Sequence, residues 1–221
     1  MKIALLGAES TGKTELAGAL AAHLRGLGRP VAVVGEVLRE WCAREGRTPR
    51  PEEQLPIAQE QERRVDAAAA GAELVIADTT AVMVAVYSAM LFADGSLYRF
   101  ALERQRGYDV TLVTGLDLPW VADGLQRDGP HVREPVDAQV RAALERAGVA
   151  YRVVYGSGPE RLAHALFAIE SIASRAHAAS ATDGYGSKTR PWNWSCEKCG
   201  DAACEHRLFT ALGLGKASSG G

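Results

Sequence analysis

Gly7 to Thr14 reads GAESTGKT and follows directly on the apolar run Ile3-Ala4-Leu5-Leu6. A Gly-x4-Gly-Lys-Thr loop set between a strand and a helix constrains everything around it. Its glycines let the backbone fold around an anion with N–H groups inward, and the positive end of the next helix stands behind. Gly7, Glu9, Ser10, Thr11, Gly12, Lys13, Thr14 and Glu15 are therefore candidate nucleotide-binding residues. Lys13 would bridge the outer phosphates, and the Thr14 hydroxyl would ligate Mg2+. Arginine is frequent in this chain, yet between residues 1 and 187 the only lysines are Lys2 and Lys13. A compact ammonium kept at this point suits a site among phosphates. The alternative is a glycine turn with a chance lysine. The same loop serves kinases, motors and switches, so it implies a bound nucleotide without saying what is done with it.

Apolar runs that read as buried strands recur at residues 2–6, 30–34, 73–77, 110–114 and 151–155. Helical patterns fall at 13–27, about 52–70, 80–92, 96–106, 137–147 and 159–174. Strands alternating with helices predict an α/β fold, a five-stranded parallel sheet with helices on both faces. Gly28 with Pro30, Gly71 and Gly148 supply helix stops in that register. Beyond Ser174 the stretch AHAASATDGYGSKTRPW turns small and polar. The expected organisation is a nucleotide-binding domain over 1–174, a linker over 175–191, a Cys/His segment over 192–212 and a disordered tail over 213–221.

Ligands of a parallel sheet collect beyond the carboxyl ends of its strands, so polar residues there matter most. The third strand, LVIAD, ends in Asp78, where a carboxylate can hold Mg2+ directly or through water. Its alternative role is an N-cap for the helix near Thr80. The second strand leads into Gly35-Glu36 and VLREW, placing Glu36 beside Arg39 and Glu40. Glu36 is a candidate for binding ribose hydroxyls or for taking a proton from an attacking hydroxyl; a first-turn helix acid is the alternative. The fourth strand leads into GLDLPWVADGLQRDG, with Trp120, Asp123, Arg127, Asp128 and Arg133 nearby. That segment could close over phosphates, Arg127 stabilising the transferring group, or it could be a solvated loop.

Taken together, GAESTGKT, EVLREW after the second strand, ADTT after the third and YDVTLVTGLDLPWVADGLQRDG after the fourth resemble the ribosylnicotinamide kinase domain of NadR-type proteins, a P-loop ATPase group. The resemblance covers roughly residues 1 to 170. It implies a P-loop kinase fold, MgATP as phosphate donor and the 5′-hydroxyl of nicotinamide riboside as acceptor. Lys13 and Thr14 would then hold phosphates and Mg2+, Asp78 would serve the metal or the acceptor, and Glu36, Arg39, Trp120 and Asp123 would face the nucleoside. Three departures accompany the match. The first strand starts at Lys2, so the adenylyltransferase domain that commonly precedes this kinase is expected to be absent. The family's DTD reads Asp78-Thr79-Thr80, and its WVDDGLR reads WVADGLQR, which moves the arginine to Arg127. A regulatory nucleotide-binding ATPase or GTPase is the competing function.

WSCEKCGDAACEHRLF places Cys196, Cys199, Cys204 and His206 in a C-x2-C-x4-C-x-H pattern. Four such ligands suit a closed tetrahedral Zn2+ site of structural type; a reduced, metal-free tail is the alternative. Trp192 and Trp194 could pack over the metal or dock the segment, and a protein partner through this tail is expected in preference to nucleic acid. A net charge of −2 supplies no general attraction to nucleic acid. Glu9, Lys13 and Glu15 interrupt any signal-peptide core, and no long uncharged apolar stretch follows, so a cytoplasmic protein without a membrane segment is expected. Cys42, in LREWCARE, reads as a small helix residue.

Overall fold

A computed structural model describes residues 1–121 and 129–182, the last of these, 173–182, as backbone only. Asp123, Arg127, Asp128, Trp192, Trp194 and the Cys196, Cys199, Cys204 and His206 cluster lie outside the described residues. Five strands form one sheet: β1 (Lys2–Leu6), β2 (Val31–Val34), β3 (Leu74–Asp78), β4 (Val110–Thr114) and β5 (Arg152–Val154). Their order is β2-β3-β1-β4-β5 and every pairing is parallel. All five strands therefore end at the same edge. Among the described residues, seven α-helices connect and follow them: α1 (Lys13–Gly26), α2 (Val37–Glu45), α3 (Pro51–Ala69), α4 (Ala81–Phe92), α5 (Leu97–Gln105), α6 (Arg133–Arg146) and α7 (Gly158–Thr182).

The strands read as unbroken apolar runs because both faces of the sheet are covered. Successive side chains alternate between the faces. Ile3 and Leu5 of β1, Leu74 and Ile76 of β3, and Val110 and Leu112 of β4 pack with Leu16, Leu20 and Leu24 of α1 and Ala165, Ala168 and Ile169 of α7. Leu6 and Val113 point the other way, into a cluster with α2, α3, α4, α5 and α6. In α4, residues 81–86 are all buried, because this helix lies against the sheet and is flanked by α3, α5 and α6. That enclosure accounts for the apolar sequence of the first two turns on every side, whereas Met90 and Leu91 in the last turn are exposed.

The strand positions agree with the sequence reading to within a residue at most ends, and three helical features differ from it. The VLREW segment, which the reading left outside its set of helices, forms α2, closed by Gly46 at φ +67°. Helix α6 starts at Arg133 and not near Asp137, because Pro135 falls in its first turn, where a missing N–H costs nothing. Helix α7 runs to Thr182, past Ser174, where the sequence reading ends its last helix. The Ala-rich stretch over 173–182 has few side chains that disfavour a helix. No helix among the described residues is long and apolar enough to cross a membrane.

Ile76 lies on the middle of β3 and is fully buried. Ile76→Ala is expected to lower unfolding free energy by about 2–5 kcal/mol, measured by urea denaturation; a loss under about 1 kcal/mol would contradict this packing.

Candidate functional site

The loop between β1 and α1 owes its shape to backbone conformations that L side chains resist. Gly7 has φ +142° and Gly12 φ +71°, and Ser10 is also left-handed at φ +55°. A Cβ on Gly7 would sit 2.2 Å from Thr114 Oγ1, so β4 and the loop can approach only over a glycine. Thr114 Oγ1 donates to the Leu6 carbonyl at 3.1 Å and pairs with Thr11 Oγ1 at 2.7 Å, and Thr11 Oγ1 lies 2.7 Å from the Ala8 carbonyl. Lys13 opens α1 but is folded back over the loop, its Nζ donating to the Gly7 and Ala8 carbonyls at 2.9 and 2.8 Å. Backbone carbonyls thus hold a nearly buried ammonium at the cradle while charged phosphate oxygens remain its better partners.

Asp78, at the end of β3, reaches this loop. The exposed Thr14 donates its hydroxyl to Asp78 Oδ2 at 2.5 Å, and Arg39 Nη1 donates to the same hydroxyl at 3.3 Å. Arg39 Nη2 pairs with Glu36 Oε2 at 3.0 Å. A continuous polar chain, Glu36–Arg39–Thr14–Asp78, therefore joins the ends of β2 and β3 to the start of α1. Glu36 occupies the N-cap position of α2, yet its side chain makes no capping bond and turns to Arg39 instead. Asp78 is not the cap of α4 either: Thr80 fills that position, accepting from Val82 N at 3.2 Å. Asp78 Oδ1 is buried without a hydrogen-bond partner. An orphaned carboxylate oxygen beside a threonine hydroxyl at a phosphate loop fits a divalent cation or its water, since oxygen donors are what Mg2+ takes.

Between Asp78 and Thr80, Thr79 is buried at φ +76°. A β-branched residue in this region carries strain of about 1–3 kcal/mol, sustained only where neighbours fix it. They do so here: Thr79 N donates to Leu5 O at 3.1 Å, and Thr80 Oγ1 donates to Gln105 Oε1 at 2.7 Å. Gln105 Nε2 in turn donates to Thr111 Oγ1 at 2.9 Å.

On the β4 and β5 side, Val121 N donates to Ser10 Oγ at 2.8 Å, and Ser10 Oγ lies 3.0 Å from Val121 O. Trp120, beside Val121, has its indole N–H buried and without a partner; among the described residues it shares no hydrogen bond or ion pair with Glu36, Arg39 or Asp78. Sequence reasoning missed Arg161. Its guanidinium, 4% exposed, donates to Thr11 O at 2.7 Å and Gly156 O at 2.8 Å, while Asp117 Oδ2 accepts from Gly156 N at 2.6 Å. Burial pulls the Arg161 pKa below its ordinary value, opposed by Asp117 and Glu15. The signal was present, because Arg161 leads the inward stripe of α7 that continues at Ala165, Ala168 and Ile169.

Proteins of known structure share this fold. Among solved structures, NadR in complex with NR superposes with a TM-score of 0.63 at 18% identity, over 86% of this chain and 52% of that one. NadR in complex with NAD and AMP-PNP gives 0.59 at 16%, over 86% and 51%; the chain thus spans about half the length of either NadR structure. Thymidylate kinase from Ehrlichia chaffeensis gives 0.52 at 14%, over 80% and 98%. No curated protein matches in sequence. A family model described as an AAA domain matches residues 2–161, so the chain belongs to that AAA domain family, and the loop Gly7 to Thr14 is the phosphate-binding loop of a P-loop nucleotide-binding domain.

Proposed function

We propose that this protein is a Mg2+- and ATP-dependent nucleoside kinase that phosphorylates nicotinamide riboside to nicotinamide mononucleotide. The observation that carries the reading is the chain Glu36–Arg39–Thr14–Asp78, which sets one carboxylate against the phosphate loop and a second at the neighbouring strand end. A nucleotide switch needs the first; a kinase also needs a group to receive the acceptor's proton. The EVLREW and LPWVADGL motifs and the shared fold with NadR, solved in complex with NR, support the choice of acceptor.

In this reading the loop amides and Lys13 bind the β- and γ-phosphates and keep them in line with the acceptor. Thr14 and Asp78 would hold Mg2+, which when bound offsets the charge on the phosphates. Glu36 takes the proton of the 5′-hydroxyl as its oxygen bonds to the γ-phosphorus and the bond from that phosphorus to the β,γ-bridging oxygen breaks, leaving ADP. Arg39 orients Glu36 through their ion pair. The buried N–H of Trp120 is a donor that the acceptor would satisfy. Asp123 and Arg127 are assigned by sequence position, Asp123 to the nucleoside and Arg127 to the transferring phosphoryl group. Thr80, standing where the family pattern has its second acid, is spent on capping α4 and on Gln105. Asp78 is therefore the carboxylate this segment supplies.

Cys196, Cys199, Cys204 and His206 are assigned to a structural Zn2+ site, with the tail as a contact for a protein partner. The Cys199→Ser variant is expected to lose zinc by metal analysis and keep its ATP affinity, because no zinc ligand comes from the nucleotide loop; retained zinc would remove the assignment. For the kinase itself, the test is mass-spectrometric detection of nicotinamide mononucleotide after incubation with MgATP and nicotinamide riboside. Product is expected, with Lys13→Ala lowering turnover by more than about tenfold in a folded protein. ATP binding without product would reject this acceptor and favour a nucleotide-dependent regulator.

A further inference from the structure

Helix α3 is rich in Gln, Glu and Ala, yet it buries two consecutive polar residues, Gln61 at 1% and Glu62 at 3% exposure. Each grips backbone next to a site carboxylate. Gln61 Oε1 accepts from Val37 N at 2.9 Å, and Gln61 Nε2 donates to Gly35 O at 3.2 Å. These two bonds bracket Glu36. Glu62 Oε1 accepts from Ala81 N at 2.9 Å, on the far side of the strained Thr79 from Asp78, and Glu62 Oε2 accepts from the Tyr108 hydroxyl at 3.1 Å. Arg104 Nε stands 3.8 Å away.

We infer that Gln61 and Glu62 are paired positioning residues, α3 acting as a bar that sets Glu36 and Asp78 in place from behind the sheet edge. The pair sits on one helix two turns from its end, so the two carboxylates share a single rigid support. Buried Glu is costly, and burial raises this carboxyl's pKa while the Ala81 and Tyr108 bonds act against that rise. A residue needed only for packing would be apolar here. What Glu62 provides is an acceptor for the first N–H of α4, three residues after Asp78. Thr79 N on Leu5 fixes the other side of the same junction. The strained turn is thereby pinned at both ends, and the direction of Asp78 follows from it. Gln61 makes the corresponding grip on both sides of Glu36, and the two grips are separable because they bind different chain segments.

The inference rests on reading Asp78 as the residue that faces Mg2+, and its test separates the two. The measurement is ATP affinity by calorimetry with Mg2+ and with EDTA, the folded state being checked by circular dichroism. Wild type is expected to gain affinity with Mg2+. Glu62→Ala should reduce that gain by about tenfold, as loss of a second support for a metal-facing carboxylate does, with affinity in EDTA unchanged. Glu62→Gln, which keeps an acceptor for Ala81 N, should restore the gain to within about twofold of wild type, and Gln61→Ala should keep it. If Glu62→Ala does not fold, Glu62→Asp, which draws the oxygen back by one methylene, carries the same expectation. A full Mg2+ gain in folded Glu62→Ala or Glu62→Asp would overturn the role of Glu62 alone. No gain in wild type would overturn the reading of Asp78 together with the inference.

Discussion

Two-sided burial of a parallel sheet leaves polar chemistry one place to go, the edge where the strands end. In this protein β1, β3 and β4 are enclosed by helices on both faces, and most of their side chains are apolar, with Thr111 of β4 the mid-strand exception, bonded to Gln105. Among the described residues, the groups proposed to form the site therefore stand at or just past a carboxyl end: Glu36 after β2, Asp78 closing β3 and the phosphate loop after β1, with Thr114 closing β4 and Gly156 and Arg161 after β5 bracing that loop. The strand order β2-β3-β1-β4-β5 puts the loop in the middle. Carboxylates reach it from one flank and a buried arginine from the other.

That asymmetry divides the work. On the β4–β5 flank, Thr114 bonds the Thr11 hydroxyl and the Leu6 carbonyl, and Asp117 and Arg161 tie the loop and the β5 exit through backbone carbonyls and an amide, so this side makes the cradle rigid. On the β2–β3 flank, Arg39 and Thr14 are exposed while Asp78 is nearly buried. This flank can exchange its internal bonds for a ligand's. The strain at Thr79 lies on that same flank, where a turn between strand and helix must send Asp78 toward α1 and Thr80 into the cap of α4.

Much of this was legible in the sequence because it depends on local pattern. Two glycines ahead of a lysine between a strand and a helix, and an apolar run ending in Asp78, are signals contained within a few residues. Those elements lie where the sequence reading put them. What escaped depends on partners distant in the chain. Gln61 and Glu62 look like surface residues until α2 and α4 bring Val37 N and Ala81 N to them, and Arg161, though it heads the inward stripe of α7, shows no partner until the loop brings it Thr11 O. Short α2 was missed for a different reason: Val37, Leu38, Trp41 and Cys42 do fall at i, i+1, i+4 and i+5, but the helix has only nine residues, too few for the stripe to repeat. A residue's own neighbours reveal a strand or a loop, whereas a buried polar contact becomes visible only once the chain has closed upon it.

The account turns on the Asp78 carboxylate facing a metal beside Thr14, and the isosteric Asp78→Asn variant isolates its charge. Asn retains an acceptor for the Thr14 hydroxyl, so the loop geometry is kept and only the negative charge is removed. The measurement is ATP affinity across a Mg2+ titration in wild type and in Asp78→Asn. The account predicts that Mg2+ tightens ATP binding in wild type and that this response falls by about tenfold or more in the variant, with affinity in EDTA unchanged. An equal Mg2+ response in both proteins would contradict it and leave Asp78 as a structural partner of Thr14.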